Sequence, residues 1–114
     1  MRVVIEQFFE EPLAEERYVE TAKRLDVALA EHASAWCRSY LSADRMRLTC
    51  EFEAPDEDAV RAAYREADVP CYDSWVAEVT AVEDYPELMD RLRAAIASQT
   101  APGSGARLGT ARLI

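Results

Sequence analysis

The chain predicts an α+β fold, a ferredoxin-like β-α-β-β-α-β plait followed by a C-terminal helix, and three observations carry that expectation. Met46, Leu48, Cys50 and Phe52 alternate with Arg47, Thr49, Glu51 and Glu53; a period of two gives a strand one apolar and one polar face. Tyr18, Ala22, Leu25 and Leu29 recur at spacings of three and four, which gives a helix one buried stripe. Pro12, Pro55, Pro70, Pro86 and Pro102 each fall where one pattern gives way to another, because proline lacks an amide hydrogen and restricts its predecessor.

Taken in order, residues 2–9 read as a strand of β-branched and aromatic residues. A long helix is expected from about Pro12 to His32 on the Tyr18–Leu29 stripe. Trp36–Ser42 is the second strand, Ala43 and Asp44 form a two-residue turn, and Met46–Glu53 is the third strand. Pro55 opens the second helix, where Asp56, Glu57 and Asp58 favour its positive end; Val60, Ala63, Tyr64 and Ala67 form its apolar side. Asp73–Val82 is the fourth strand. A third helix is expected from Asp84, with Glu87 three residues on as in a capping box and an apolar stripe of Tyr85, Leu88, Leu92 and Ile96. The two β-α-β halves predict a four-stranded antiparallel sheet of order 4-1-3-2 with the first two helices on one face.

The chain has 114 residues, which suits one domain over residues 1–99. All three glycines lie in residues 100–114, which read as a flexible tail whose Leu108, Leu113 and Ile114 are available to a partner. The net charge of −9 repels phosphate backbones and argues against nucleic acid as a partner. No apolar run approaches the roughly 18 residues of a membrane span. Glu6 interrupts the N-terminal apolar run too early for a signal-peptide core, and three cysteines fit a reducing compartment. A cytoplasmic location is expected.

Parity then selects the side chains on the helix-free face. Val3, Ile5 and Phe9 go inward, so Glu6 emerges on the open side. In the fourth strand Trp75, Ala77, Val79 and Ala81 go inward, leaving Ser74, Val76, Glu78 and Thr80 outward. The two-residue turn pairs Trp36 with Glu51, Arg38 with Thr49 and Tyr40 with Arg47 on the open face. That face is then an aromatic surface, Val4, Phe8, Trp36, Tyr40 and Val76, set among Glu6, Arg38, Glu51 and Glu78. Such a patch marks either a homodimer interface or a pocket.

Elsewhere, Cys37 and Cys50 are expected opposite each other beneath the helices, as small hydrophobes or as a soft-metal or redox pair. Cys71, after Pro70, is the thiol most exposed to reaction. His32, the only histidine, ends the first helix, where a cation complements the helix dipole. One histidine does not build a histidine-rich zinc or nickel site within one chain. No phosphate loop, nucleotide fingerprint or serine elbow is present.

Ile5-Glu6, Trp36-Cys37-Arg38-Ser39-Tyr40 and Cys50-Glu51-Phe52-Glu53-Ala54-Pro55-Asp56-Glu57 give the chain a further meaning. Over roughly residues 3–80 it resembles small ferredoxin-like proteins grouped as a domain of unknown function and typified by a bacterial nickel-binding protein. The resemblance implies a homodimer of plaits and a divalent metal ion such as nickel as cofactor. Arg38 stands where the resemblance expects a histidine, and Ala63 where it expects another. Arginine is always charged and cannot ligate a cation; Arg38 suits an anion held in bidentate fashion.

The functional expectation is a small cytoplasmic protein, homodimeric through the open sheet face, that binds a small ligand or metal ion there. Glu6, Glu51 and Glu78 would ligate a metal, while Trp36, Arg38, Tyr40 and Thr49 would hold a ligand. The first alternative is a small biosynthetic cyclase or isomerase in the same pocket, with Glu6 or Glu51 as base and Arg38 or Tyr40 stabilising an enolate. The second is an interaction module without a site.

Overall fold

The structure, a computed structural model, describes residues 1–99; the tail expected over 100–114 lies outside the described residues. Residues 1–78 form one compact unit and a second begins at Val79.

The first unit contains β1 (Arg2–Phe8), α1 (Glu15–Glu31), β2 (Ala35–Leu41), β3 (Arg47–Glu53), α2 (Glu57–Glu66) and β4 (Asp73–Ala77). The sheet runs β2-β3-β1-β4 with every pairing antiparallel, the order and topology expected of the plait. Val3 and Ile5 of β1 and Leu48, Cys50 and Phe52 of β3 are buried with Leu25, Ala28 and Leu29 of α1 and Val60, Ala63 and Tyr64 of α2. Both helices therefore cover the same sheet face, and burying side chains of this size contributes about 1.5–3 kcal/mol each.

The local causes of each element are visible. Asp56 caps α2, its carboxylate accepting from the Ala59 amide at 2.8 Å. Both helices end in a Schellman arrangement. The Ser34 and Ala33 amides return to the Leu29 and Ala30 carbonyls, and the Val69 and Asp68 amides return to those of Tyr64 and Arg65. The left-handed position after the cap is normally glycine, but the described residues contain none, so Ala33 (φ 54°) and Asp68 (φ 56°) take it. Arg45 (φ 62°) is the third such residue. It is held by exchange with the loop before α1, the Leu13 amide donating to its carbonyl at 2.8 Å and its Nε donating to the Leu13 carbonyl at 2.7 Å.

Three expectations about the sheet need correction. The β2–β3 turn is longer than two residues: the Ser42 amide donates to the Arg47 carbonyl, so Tyr40 lies opposite Thr49 and Arg38 opposite Glu51. This slip by two keeps each side chain on its expected face. A bulge between Trp36 and Arg38 then adds one residue, setting Trp36 opposite Phe52, and a slip by one reverses the face. Trp36 accordingly packs against the helix-side core, its ring 5.5 Å from that of Phe52. The third correction is in β4, which ends at Ala77 rather than Val82 and carries the opposite parity. Trp75 pairs with Val4 and Val76 with Val3, so Trp75 is on the open face and Val76 is not. Ser74, opposite the buried Ile5, is held on the helix side by hydrogen bonds to Glu57 and Arg61 of α2.

In the second unit a 3-10 turn at Val82–Asp84 precedes α3 (Pro86–Gln99). Proline at the first helical position ends the expected capping box and sets the start two residues late. Tyr85, Leu88, Leu92 and Ile96 form the expected stripe and remain exposed. No described helix is long and apolar enough to cross a membrane.

A left-handed alanine costs about 1 kcal/mol relative to glycine. Ala33→Gly is expected to raise stability by about that amount, and the same substitution at Ala22 within α1 to lower it by about as much. Thermal unfolding followed by circular dichroism measures both.

Candidate functional site on the open sheet face

With register and parity set, the open face can be read row by row, since directly opposed residues of antiparallel strands share a face. One row is Arg38, Glu51, Val4 and Trp75; the next is Tyr40, Thr49, Glu6 and Asp73. Arg2 and Glu53 are opposed at one end, Phe8 and Arg47 at the other. Tyr40, Trp75 and Phe8 are each about half exposed, at 55%, 45% and 50%, whereas Val4 between Glu51 and Trp75 is 4% exposed. Phe8 meets Tyr72 edge-on at 4.7 Å, and the Arg47 guanidinium lies 5.4 Å from the Phe8 ring centre, a cation–π contact.

Two carboxylates of this face, Glu6 and Glu51, are engaged by arginines. Arg47 Nη2 donates to Glu6 Oε1 at 2.6 Å, and Arg2 Nη1 donates to Glu51 Oε1 at 2.9 Å. The same Glu51 oxygen is 3.9 Å from Arg38 Nε. Arg38 is mostly exposed, and its pKa is raised, first by hydrogen bonding to Tyr40 and then by the charges of Tyr40 and Glu51. It is a permanent cation with donors free to face solvent.

Of the side chains expected here, Glu6, Glu51, Arg38, Tyr40 and Thr49 share the open face. Trp36 does not, because the bulge turns it inward. Glu78 lies beyond the end of β4 and is exposed, so the three expected carboxylates are not brought together. Arg47 is on the face as expected, although opposite Phe8 and not Tyr40, whereas Arg2, Asp73 and Trp75 belong to the face and escaped sequence reasoning. Alternation from Glu6 along the first strand points to Arg2, and alternation along the third to Arg47; Asp73 and Trp75 depend on the edge-strand register, which alternation alone leaves open.

The cysteines are also redistributed. Cys37 sits in the bulge and is exposed, so it does not face Cys50. Ser39 takes that place, its hydroxyl accepting from the Trp36 indole at 2.8 Å and donating to Cys50 Sγ at 3.1 Å. Burial pushes the Cys50 thiol up to about 11, against partial relief from Ser39 and Tyr64. Burial also raises Cys71. His32 caps α1 and is 2.8 Å from Glu66. Among the described residues no group of three or more His, Cys, Asp or Glu side chains is placed to hold a metal ion.

The family model described as nickel responsive protein SCO4226-like matches residues 4–78. The chain belongs to this family. The match ends with the first compact unit, so the family is defined over the sheet and its two helices. Among solved structures, the crystal structure of SCO4226 from Streptomyces coelicolor A3(2) is similar at a TM-score of 0.65 and 9% identity, covering 71% of this chain and 100% of that one. At that identity the likeness shows the fold, and it bears out the ferredoxin-like expectation. No curated protein matches the chain.

Nickel, which the family description raises, is not fitted by the donors on this face. Glu6 and Glu51 are paired with Arg47 and Arg2, Glu78 lies beyond the end of β4, and among the described residues Asp73, opposite Glu6, is not joined there by two further donors placed to share an ion. A divalent ion here would have to displace two arginines and would add its charge to theirs.

The thiols give a direct check of the bulge. At a pH just below the ordinary thiol value of 9.0, iodoacetamide is expected to label Cys37 first, Cys71 slowly and Cys50 only on unfolding. Peptide mass spectrometry over time reads the order; fast labelling of Cys50 with a protected Cys37 would place the bulge elsewhere.

Proposed function

We propose that this member of the nickel-responsive family is a homodimer of plaits that binds a small anionic ligand on its open sheet face. The observation that carries the reading is the half-exposed trio Phe8, Tyr40 and Trp75 spread over a sheet whose Glu6 and Glu51 are already bonded to arginines. Exposed aromatic groups on a sheet favour a covering surface, since burial in a partner removes apolar area from water. A second copy of the same face offers the same arginines and carboxylates, so twofold pairing exchanges like contacts without unmatched charge.

Within such an interface Arg38 supplies the anion contact. Its guanidinium shares Glu51 with Arg2 at 3.9 Å, beyond good hydrogen-bonding distance, and so retains donors for a carboxylate or similar group. Tyr40 stands beside it with a hydroxyl, and Thr49 lies opposite Tyr40. The ligand set is therefore Arg38, Tyr40 and Thr49, with Trp75 in place of Trp36 as the aromatic wall. Direct nickel ligation by Glu6, Glu51 and Glu78 is the weaker reading, because it demands that the Arg47 and Arg2 pairs be broken and that Glu78 be carried to the sheet. Nickel responsiveness in this chain then acts through something other than those carboxylates.

Light scattering across a concentration series is expected to show a dimer, and Trp75→Glu to give a monomer that keeps its fold. Native mass spectrometry is expected to find a small anion retained by the wild type and lost in Arg38→Ala. Nickel titration of wild type and Glu6→Gln is expected to give the same isotherm. A monomeric wild type, or nickel binding that Glu6→Gln abolishes, would overturn the reading.

A further inference from the structure

A concave surface of the first unit lies at one end of the sheet, away from Arg38. It is a cleft of about 1020 Å³ between the loop of residues 9–14, the N-terminal half of α1 and the loop of residues 68–72. Pockets for small molecules run to about this size. Its lining mixes aromatic and aliphatic side chains, Phe9, Tyr18, Leu25, Trp36 and Leu48 among them, with polar and charged ones. Trp36 is there because of the bulge in β2. Its indole N–H is committed to Ser39 at 2.8 Å, so the ring offers the cleft its carbon surface.

Among the polar groups of the lining, Gln7 is buried, at only 7% exposed. Its Nε2 donates to the Pro70 carbonyl at 2.8 Å, which fixes the amide plane. Among the described residues no hydrogen bond reaches its Oε1, and that oxygen is not sealed within protein. A buried amide held at one end and unfilled at the other is an acceptor that a ligand can satisfy at little entropic cost. The rim has a sign as well. Glu10, Glu11, Glu20 and Asp68 line it against Arg17 and Arg24, and Arg24 is already bonded to Glu20 and to the Ala67 carbonyl.

We propose that this cleft is a binding site for an amphipathic aromatic amine, with Gln7 Oε1 accepting from the ammonium group and Trp36, Tyr18 and Phe9 enclosing the ring. An acceptor and an acidic rim select a cationic donor over an anion. Aromatic faces add attraction for the same cation. The proposal goes beyond the reading given above: Phe8 borders both surfaces, but neither Arg38 nor Tyr40 lines the cleft.

Two probes with the same ring and opposite charge test it, 2-(1-naphthyl)ethylamine and 1-naphthaleneacetate. Calorimetry on the wild-type protein at neutral pH is expected to show saturable binding of the amine and none of the carboxylate. The amine is expected to shift the Gln7 side-chain amide and Trp36 indole resonances in nitrogen–proton spectra. Gln7→Leu, which keeps the volume and removes the acceptor, is expected to weaken the amine about tenfold. Ala22→Phe, which fills the wall, is expected to abolish binding with α1 intact by circular dichroism. Arg38→Ala is expected to leave amine binding unchanged. Failure of the amine to bind, equal binding of the carboxylate, or undiminished binding in Ala22→Phe would each overturn the proposal. So would resonance shifts confined to Trp75 and Tyr40.

Discussion

The alternation shared by β1 and β3 is the constraint on which the rest of this structure depends. These two strands form the middle of the sheet, and their register sets Val3 against Phe52 and Ile5 against Cys50, all buried. Slipping it by one residue would carry Glu51 and Arg47 under the helices and lift Leu48 and Phe52 into water. Each buried charge would cost several kcal/mol, so the register has no near competitor. The same lock dictates the other face, because whatever is not buried on a central strand must emerge there. Arg2, Glu6, Arg47 and Glu51 are side by side as a consequence of the core.

The edge strands are freer, and it is there that the functional surfaces acquire their particular character. In β2 one extra residue turns Trp36 onto Phe52 and leaves Cys37 in water, exchanging a small thiol for a large ring in the core. In β4 the hydroxyl of Ser74 goes to Glu57 and Arg61, and Trp75 is left on the open face. An edge strand has one neighbour only, so a polar contact to a helix competes on even terms with apolar burial. These two adjustments remove an indole from one face at β2 and supply one to it at β4.

The strained residues sit where the surfaces are built. Arg45 in the left-handed region ties the β2–β3 turn to Leu13 in the loop before α1, and that loop forms one wall of the cleft. Asp68, also left-handed, ends α2 and begins the opposite wall. Both walls are thus anchored by backbone hydrogen bonds at their base. The two candidate surfaces differ in kind: the open face carries arginine–carboxylate pairs and one available guanidinium, whereas the cleft combines apolar side chains with a charged rim and one available carbonyl oxygen.

The β-α-β-β-α-β order, both helix stripes and the facing of Glu6, Thr49 and Glu51 were legible in the residues, because central strands and amphipathic helices obey periods that a chain displays locally. The family resemblance was legible in Ile5-Glu6, in Trp36–Tyr40 and in the run from Cys50 to Glu57, and the family model matches residues 4–78. What the residues did not disclose was the fate of Trp36, Cys37, Trp75, Val76 and Glu78. A bulge inserts one residue without any sequence mark, and the end of an edge strand depends on which neighbour it finds. Only the tertiary structure decides those, since they balance ring packing on Phe52 and polar contacts from α2 against alternation, and those partners lie 13 to 17 residues away along the chain.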